Sequence, residues 1–215
     1  MNKIKTLEEV SALFADGQTI MIGGFLCGGS PDILIDALVK TGVKDLTLIA
    51  NDTGFPGRGI GKLIESRQIK KTIATHVGTN KETGRQMSAG EMEVILVPQG
   101  TLAERIRAAG AGLGGFLTPT GVGTLVEEGK QKLTIDGKDY LLELPIRADI
   151  ALINAYRADT YGNLVYRRSS RNFNPLMAMA ADLVIVAAEG IVQVGEINQD
   201  AVITPGTLVD IIVKV

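Results

Sequence analysis

Gly23-Gly24-Phe25-Leu26-Cys27-Gly28-Gly29-Ser30-Pro31 is the stretch whose reading decides the fold of this chain. It follows a short apolar run, Thr19-Ile20-Met21-Ile22, of strand character. It leads into a segment with Ile33, Leu34, Ala37 and Leu38 at helical spacing. Ser30 is a natural N-cap, Pro31 suits the first helical position, and Gly42 can end the helix. A strand that runs through glycines directly into a helix belongs to α/β architecture. Glycines reach positive φ and let a ligand come close to the main chain. The helix N-terminus adds unpaired N–H groups and a partial positive charge. Such a turn suits a pyrophosphate, or an oxyanion made from a thioester carbonyl. A tight connection with no ligand fits the glycine content equally well.

Outward from the turn, strands and helices alternate. A helix is predicted over 6–14, with Leu7, Val10, Leu13 and Phe14 on one face. Apolar strands are predicted at 46–50, 72–75, 94–97, 150–153, 183–187 and 208–213, and helices at 102–109 and 175–181. Buried strands separated by helices imply a mostly parallel central sheet with helices on both faces, a three-layer sandwich. The alternation around Asp136-Gly137, between Lys132 and Leu142, predicts a small β-hairpin excursion. The glycine-rich segment 110–123 reads as an ordered or mobile loop over a site. No linker or internal repeat divides the chain, so 1–215 is expected to form one domain.

Composition narrows the function classes. The chain has 215 residues and is 45% hydrophobic, enough for a sizeable core. A net charge of -2 with mixed signs lacks the basic footprint of a nucleic-acid binder. One cysteine permits no internal disulfide and fits a reducing, cytoplasmic setting. Residues 1–10 lack the apolar core of a signal peptide, and no apolar run is long enough to span a membrane.

Several residues are candidates for chemistry. Gly110, Gly112 and Gly115 match a dinucleotide fingerprint by spacing, but they follow a helix rather than a strand, so the context fails. Cys27 lies near a helix N-terminus, where a thiolate is favoured, although a small residue filling a tight turn explains it as well. His76 ends a predicted strand, where ligands of α/β sheets gather, but a lone histidine is commonly structural. One histidine and one cysteine make no metal cluster. Glu189 and Glu196, beside a buried strand, are the expected internal acids. Arg105 and Arg107, with Arg167, Arg168 and Arg171, are candidates for phosphate contacts or for a solvated face. No carboxylate sits in a context that demands a nucleophile.

The long run Asp16-Gly17-x-x-Ile20-Met21-Ile22-Gly23-Gly24-Phe25-x-x-x-Gly29-x-Pro31 is similar to the first signature of the class I CoA-transferases, in the form of their α subunits. Further matches follow in order along essentially the whole chain. They are Asn80-Lys81-Glu82, Gly90-Glu91-Met92-Glu93, Pro98-Gln99-Gly100-Thr101-Leu102-Ala103-Glu104-Arg105, Thr118-Pro119-Thr120-Gly121, Gly162-Asn163-Leu164-Val165-Tyr166 and Arg171-Asn172-Phe173-Asn174-Pro175. The nearest resemblance is to acetate or acetoacetate CoA-transferases. It implies transfer of CoA between a short-chain acyl-CoA and a carboxylate, through a glutamyl-CoA thioester. In that family the nucleophilic glutamate belongs to the β subunit, and its Ser-Glu-Asn-Gly type motif is absent here. The resemblance therefore implies no catalytic glutamate in this chain, a β-subunit partner, CoA as substrate, and no metal or other cofactor. It carries Gly24, Phe25, Leu26, Cys27, Gly28, Gly29 and Ser30 over as the CoA-binding element. Gln99, with Asn51 beside it, becomes the candidate amide contact to the acyl carbonyl. His76 and Tyr161 depart from the expected tyrosine and smaller residue, which leaves acyl-chain preference open. The alternatives are a stand-alone sugar-phosphate isomerase and a non-catalytic CoA-binding subunit.

Overall fold

The computed structural model describes residues 2–215. Its first half runs α1 (Leu7–Ser11), β1 (Thr19–Ile22), α2 (Asp32–Thr41), β2 (Leu46–Ile49), α3 (Gly61–Glu65), β3 (Ile69–Ala74), α4 (Lys81–Ser88), β4 (Glu93–Leu96) and α5 (Gln99–Gly110). Then come β5 (Phe116–Thr118), β6 (Lys132–Ile135) and β7 (Lys138–Glu143). The remainder is β8 (Ala148–Asp159), β9 (Leu164–Val165), α6 (Asn174–Ala178), β10 (Ala181–Val192) and β11 (Ile211–Lys214). The main sheet has the order β11-β10-β8-β1-β2-β3-β4, all neighbours parallel, with β9 antiparallel on β8.

The central strands β1 and β2 bury both faces. In β1, Ile20 and Ile22 face one core with Leu34, Ile35 and Leu38 of α2 and Leu63 and Ile64 of α3. Met21 faces the other, with Leu102 and Ile106 of α5 and Met177 of α6. Each such aliphatic side chain contributes about 1.5–3 kcal/mol when fully buried. The result is the expected mostly parallel sheet with helices on both faces. The expected hairpin is also present: β6 and β7 pair antiparallel around Asp136 and Gly137, both at positive φ.

Local differences have local causes. α1 stops at Ser11, opened by a capping box in which Thr6 and Glu9 satisfy each other's backbone N–H groups. β8 and β10 are far longer than their apolar cores, because they pair with each other from Ala148 and Ala181 out to Asp159 and Val192. The last strand begins only at Ile211, since a 3₁₀ turn at Gly206–Leu208 occupies its expected start. Part of the glycine-rich 110–123 segment is strand β5, zipped onto β7.

Candidate active site

The order of strand addition reverses at β1, which lies between β2 on one side and β8 on the other. Ligands of open α/β sheets bind beyond the carboxyl ends of the strands at such a switch point. The glycine turn after β1 is placed there. Its centre is a two-residue hairpin: Phe25 and Gly28 exchange both backbone hydrogen bonds, at 3.0 and 2.9 Å. Leu26 and Cys27 occupy its corners at φ 46° and 65°, a left-handed geometry that non-glycine residues rarely adopt. Such strain persists only where the surroundings fix it.

The surroundings do so from two sides. Asn172 accepts from Gly24 N and donates to the Gly28 carbonyl. Asn174 donates to the Gly29 carbonyl and accepts from Asn154 N. These contacts explain the Arg171-Asn172-Phe173-Asn174-Pro175 motif as a clamp. Gly29, at φ 71°, lies so near Ser170 that a Cβ would approach its carbonyl oxygen to 2.5 Å. From below, the buried carboxylate of Asp52 accepts from Leu26 N at 2.9 Å, from Asn51 Nδ2 at 2.7 Å and from Gly54 N at 2.8 Å.

A second turn of the same form stands beside the first. In Thr53-Gly54-Phe55-Pro56-Gly57-Arg58-Gly59, Phe55 and Arg58 pair as Phe25 and Gly28 do. Cys27 lies between the turns: its Sγ is 3.8 Å from the Arg58 carbonyl, and a Cβ on Gly59 would meet it at 3.2 Å. The sequence signal for this repeat is the shared Gly-Phe-x-x-x-Gly pattern, too short and too glycine-rich to stand out as a repeat before the structure paired the turns.

Phe25, Leu26, Asn51, Thr75, His76 and Gln99 line a cleft of about 360 Å³. Phe25 and Leu26 expose apolar surface to it. Gln99 opens α5 and donates from Nε2 to Asn51 Oδ1 at 2.7 Å. The structure thus brings Phe25, Leu26, Asn51, Gln99 and His76 together. Gly24, Gly28, Gly29 and Ser30 form the frame behind them. Among the described residues, no carboxylate lines the cleft.

Several sequence expectations need correction. Ser30 is not the N-cap of α2: Pro31 holds that position and makes no side-chain cap bond. The Ser30 hydroxyl instead faces Gly24 and Gly59. The N-terminus of α2 is already flanked by Asp32, a poor neighbour for a second anion. Cys27 is no activated thiolate, since burial raises its pKa and Asp52 adds to the effect. Glu189 and Glu196 are exposed; the buried acids are Asp52, Glu143 and Asp159. Asp159 collects the N–H groups of Tyr161, Gly162 and Asn163, which accounts for the start of the Gly162–Tyr166 motif as a loop lock. Arg107 pairs with Glu104, and Arg105 donates to the Leu144 carbonyl. Arg167, Arg168 and Arg171 are exposed and make no ion pair among the described residues.

A family model described as coenzyme A transferase matches residues 4–215. The chain belongs to that family. It is 59% identical over 211 residues to the alpha subunit of the acetate CoA-transferase of Escherichia coli strain K12, covering 98% of this chain and 96% of that one. It is 53% identical over 213 residues to the alpha subunit of the acetoacetyl-CoA:acetate/butyrate CoA transferase of Clostridium acetobutylicum, covering 99% and 98%. These relatives place it with the α subunits of CoA-transferases, in place of the isomerase alternative. The fold is shared with an acyl-CoA transferase of Escherichia coli O157:H7 solved as a thioester complex with CoA, at TM-score 0.87 and 23% identity. All of this CoA-transferase chain is covered, against 47% of that longer chain, so it spans about half the length of the solved relative. The glutaconate coenzyme A-transferase of Acidaminococcus fermentans matches at TM-score 0.86 and 20% identity, covering 99% of this chain and 75% of that one. No helix among the described residues is long and apolar enough to cross a membrane.

Proposed function

We propose that this chain, acting as one domain, is the carbonyl-holding half of a cytoplasmic CoA-transferase active site, completed by a β subunit. The reaction moves CoA between a short-chain acyl-CoA and acetate or acetoacetate. The supporting observation is a cleft with apolar walls and amide donors but no carboxylate among the described residues. In the proposed sequence, a glutamate carboxylate of the partner attacks the thioester carbonyl. The C–S bond breaks, leaving a mixed anhydride and CoA thiolate. The thiolate then attacks the glutamyl carbonyl, releases the first acid and leaves a glutamyl-CoA thioester. A second carboxylate runs these steps in reverse, and because every intermediate is an activated acyl group the free energy of the thioester is not lost to water.

The work of this chain is to bind, orient and exclude water. Gln99 offers its second Nε2–H to the developing oxyanion as an uncharged donor. Phe25 and Leu26 keep the carbonyl region dry, which strengthens that hydrogen bond. The turn from Gly24 to Ser30 cradles the pantetheine end of CoA, where Cys27, Gly29 and Ser30 have N–H groups with no partner among the described residues. The exposed guanidiniums of Arg167, Arg168 and Arg171 are the available cations for its phosphates.

The reading is tested by assaying transfer from acetoacetyl-CoA to acetate with the pure chain and after adding its native partner. Turnover is expected only in the mixture. Robust turnover by this chain alone overturns the division of labour. CoA binding with no turnover on adding the partner favours a non-catalytic role.

A further inference from the structure

Asp52 is 3% exposed and forms no ion pair among the described residues. Its oxygens are held by three N–H donors alone. A buried carboxylate without a cation is costly, so its retention calls for a reason beyond packing.

The reason lies in what a carboxylate is unable to do. An ionised carboxylate accepts hydrogen bonds and never donates them. The Asn51 atom facing it at 2.7 Å must therefore be the nitrogen. That choice turns Asn51 Oδ1 towards Gln99, 2.7 Å away, where it can only accept. The Gln99 atom at that position must then be Nε2, a donor. Thr75 contributes to the same end: its hydroxyl lies 2.8 Å from the Asn51 carbonyl and 3.2 Å from Asn51 Oδ1. A polarity set at Asp52 thus passes through two planar amides and fixes which end of Gln99 is anchored.

We infer that Asp52 is a positioning residue for CoA transfer, acting through Asn51 to hold Gln99 in its donating orientation. The inference rests on the CoA-transferase reading above. Without the carboxylate, Asn51 can rotate by half a turn and present nitrogen to Gln99. Gln99 would then follow, and its oxygen would take the anchored position in place of Nε2. The same carboxylate also fixes Leu26 of the hydrophobic wall through its N–H.

The test is a double-substitution cycle in the reconstituted α–β enzyme, with kcat and KM for acetoacetyl-CoA measured separately. Asp52→Ala is expected to lower kcat by about 10- to 30-fold with KM changed by less than about twofold. Asp52→Asn keeps one acceptor oxygen for Asn51 and Leu26 N but turns its amide nitrogen against Gly54 N, so it is expected to recover part of that loss. In a Gln99→Ala background, Asp52→Ala is expected to cost less than about threefold, because the group it positions is gone. Asn51→Ser, which breaks the relay without touching Asp52, gives the same non-additivity if Asp52→Ala fails to assemble. Equal losses in both backgrounds, or no recovery with Asp52→Asn, overturn the positioning role. Absence of transfer by the unmodified reconstituted enzyme would instead reject the CoA-transferase reading itself.

Discussion

Asp52 and Glu143 are the two most instructive carboxylates in the molecule, equally hidden from solvent and held in opposite ways. Glu143 ends β7 and meets two cations, Lys130 Nζ at 2.5 Å and Arg105 Nε at 4.0 Å. Its charge is neutralised locally, and the pairing ties the small antiparallel sheet to α5. Asp52 meets N–H dipoles alone, so its field reaches the amides beside the cleft. A buried charge matched by cations builds a joint; a buried charge matched by amides orients a site.

The comparison breaks most readily at Glu143. Glu143→Ala leaves two partly exposed cations without their partner and is expected to lower stability by about 3 kcal/mol in urea unfolding. Its kcat in the assembled enzyme should stay within about twofold of the parent; a selective loss of kcat would erase the distinction. Gln99→Ala tests the other side. It removes the proposed oxyanion donor and is expected to lower kcat by about 100-fold with little change in melting temperature.

Asn172→Ala sharpens the comparison by releasing the turn from the side opposite Asp52. Asn172 holds Gly24 N and the Gly28 carbonyl, so the variant is expected to lose about 1–2 kcal/mol in urea unfolding. The smallest effect concerns Cys27. Burial raises its thiol pKa, so the folded protein holds this proton to higher pH than the unfolded chain. That contribution to stability is intact below the unfolded value of roughly 8.5 and is lost as pH rises through the folded value. Iodoacetamide should therefore alkylate the folded protein slowly at about pH 8; fast alkylation near pH 7 would reveal an activated thiolate instead.

Much of the architecture was legible because burial on both faces writes itself into short aliphatic runs such as Ile20-Met21-Ile22 and Leu46–Ile49. The Asp136-Gly137 hairpin was legible because its turn needs positive φ. The long reach of β8 and β10 was not, since their outer stretches mix polar residues such as Arg157 and Glu189 with the small buried Ala155, Ala158 and Ala188, which leaves no aliphatic run to read. Within the site, Asn51 and Gln99 were named, but their contact spans 48 positions and no local pattern records it. Asp52 went unnoticed because a carboxylate's burial is decided by elements that fold over it. Glu189 and Glu196 were misread for the same reason, at the outer end of β10 where nothing covers them. Glycine content suggested a ligand at Gly24, yet a Cβ there would strike Ser30 Oγ at 2.5 Å, so this glycine already answers to the turn's own packing.

The central claim is that this chain holds the reacting carbonyl while another chain attacks it. Borohydride trapping during turnover of the reconstituted enzyme with acetoacetyl-CoA, followed by peptide mass spectrometry of both chains, tests it most directly. The expected result is a reduced glutamyl residue on the partner and none on this chain. A reduced carboxylate on Asp52, or on any acid of this chain, would contradict the account.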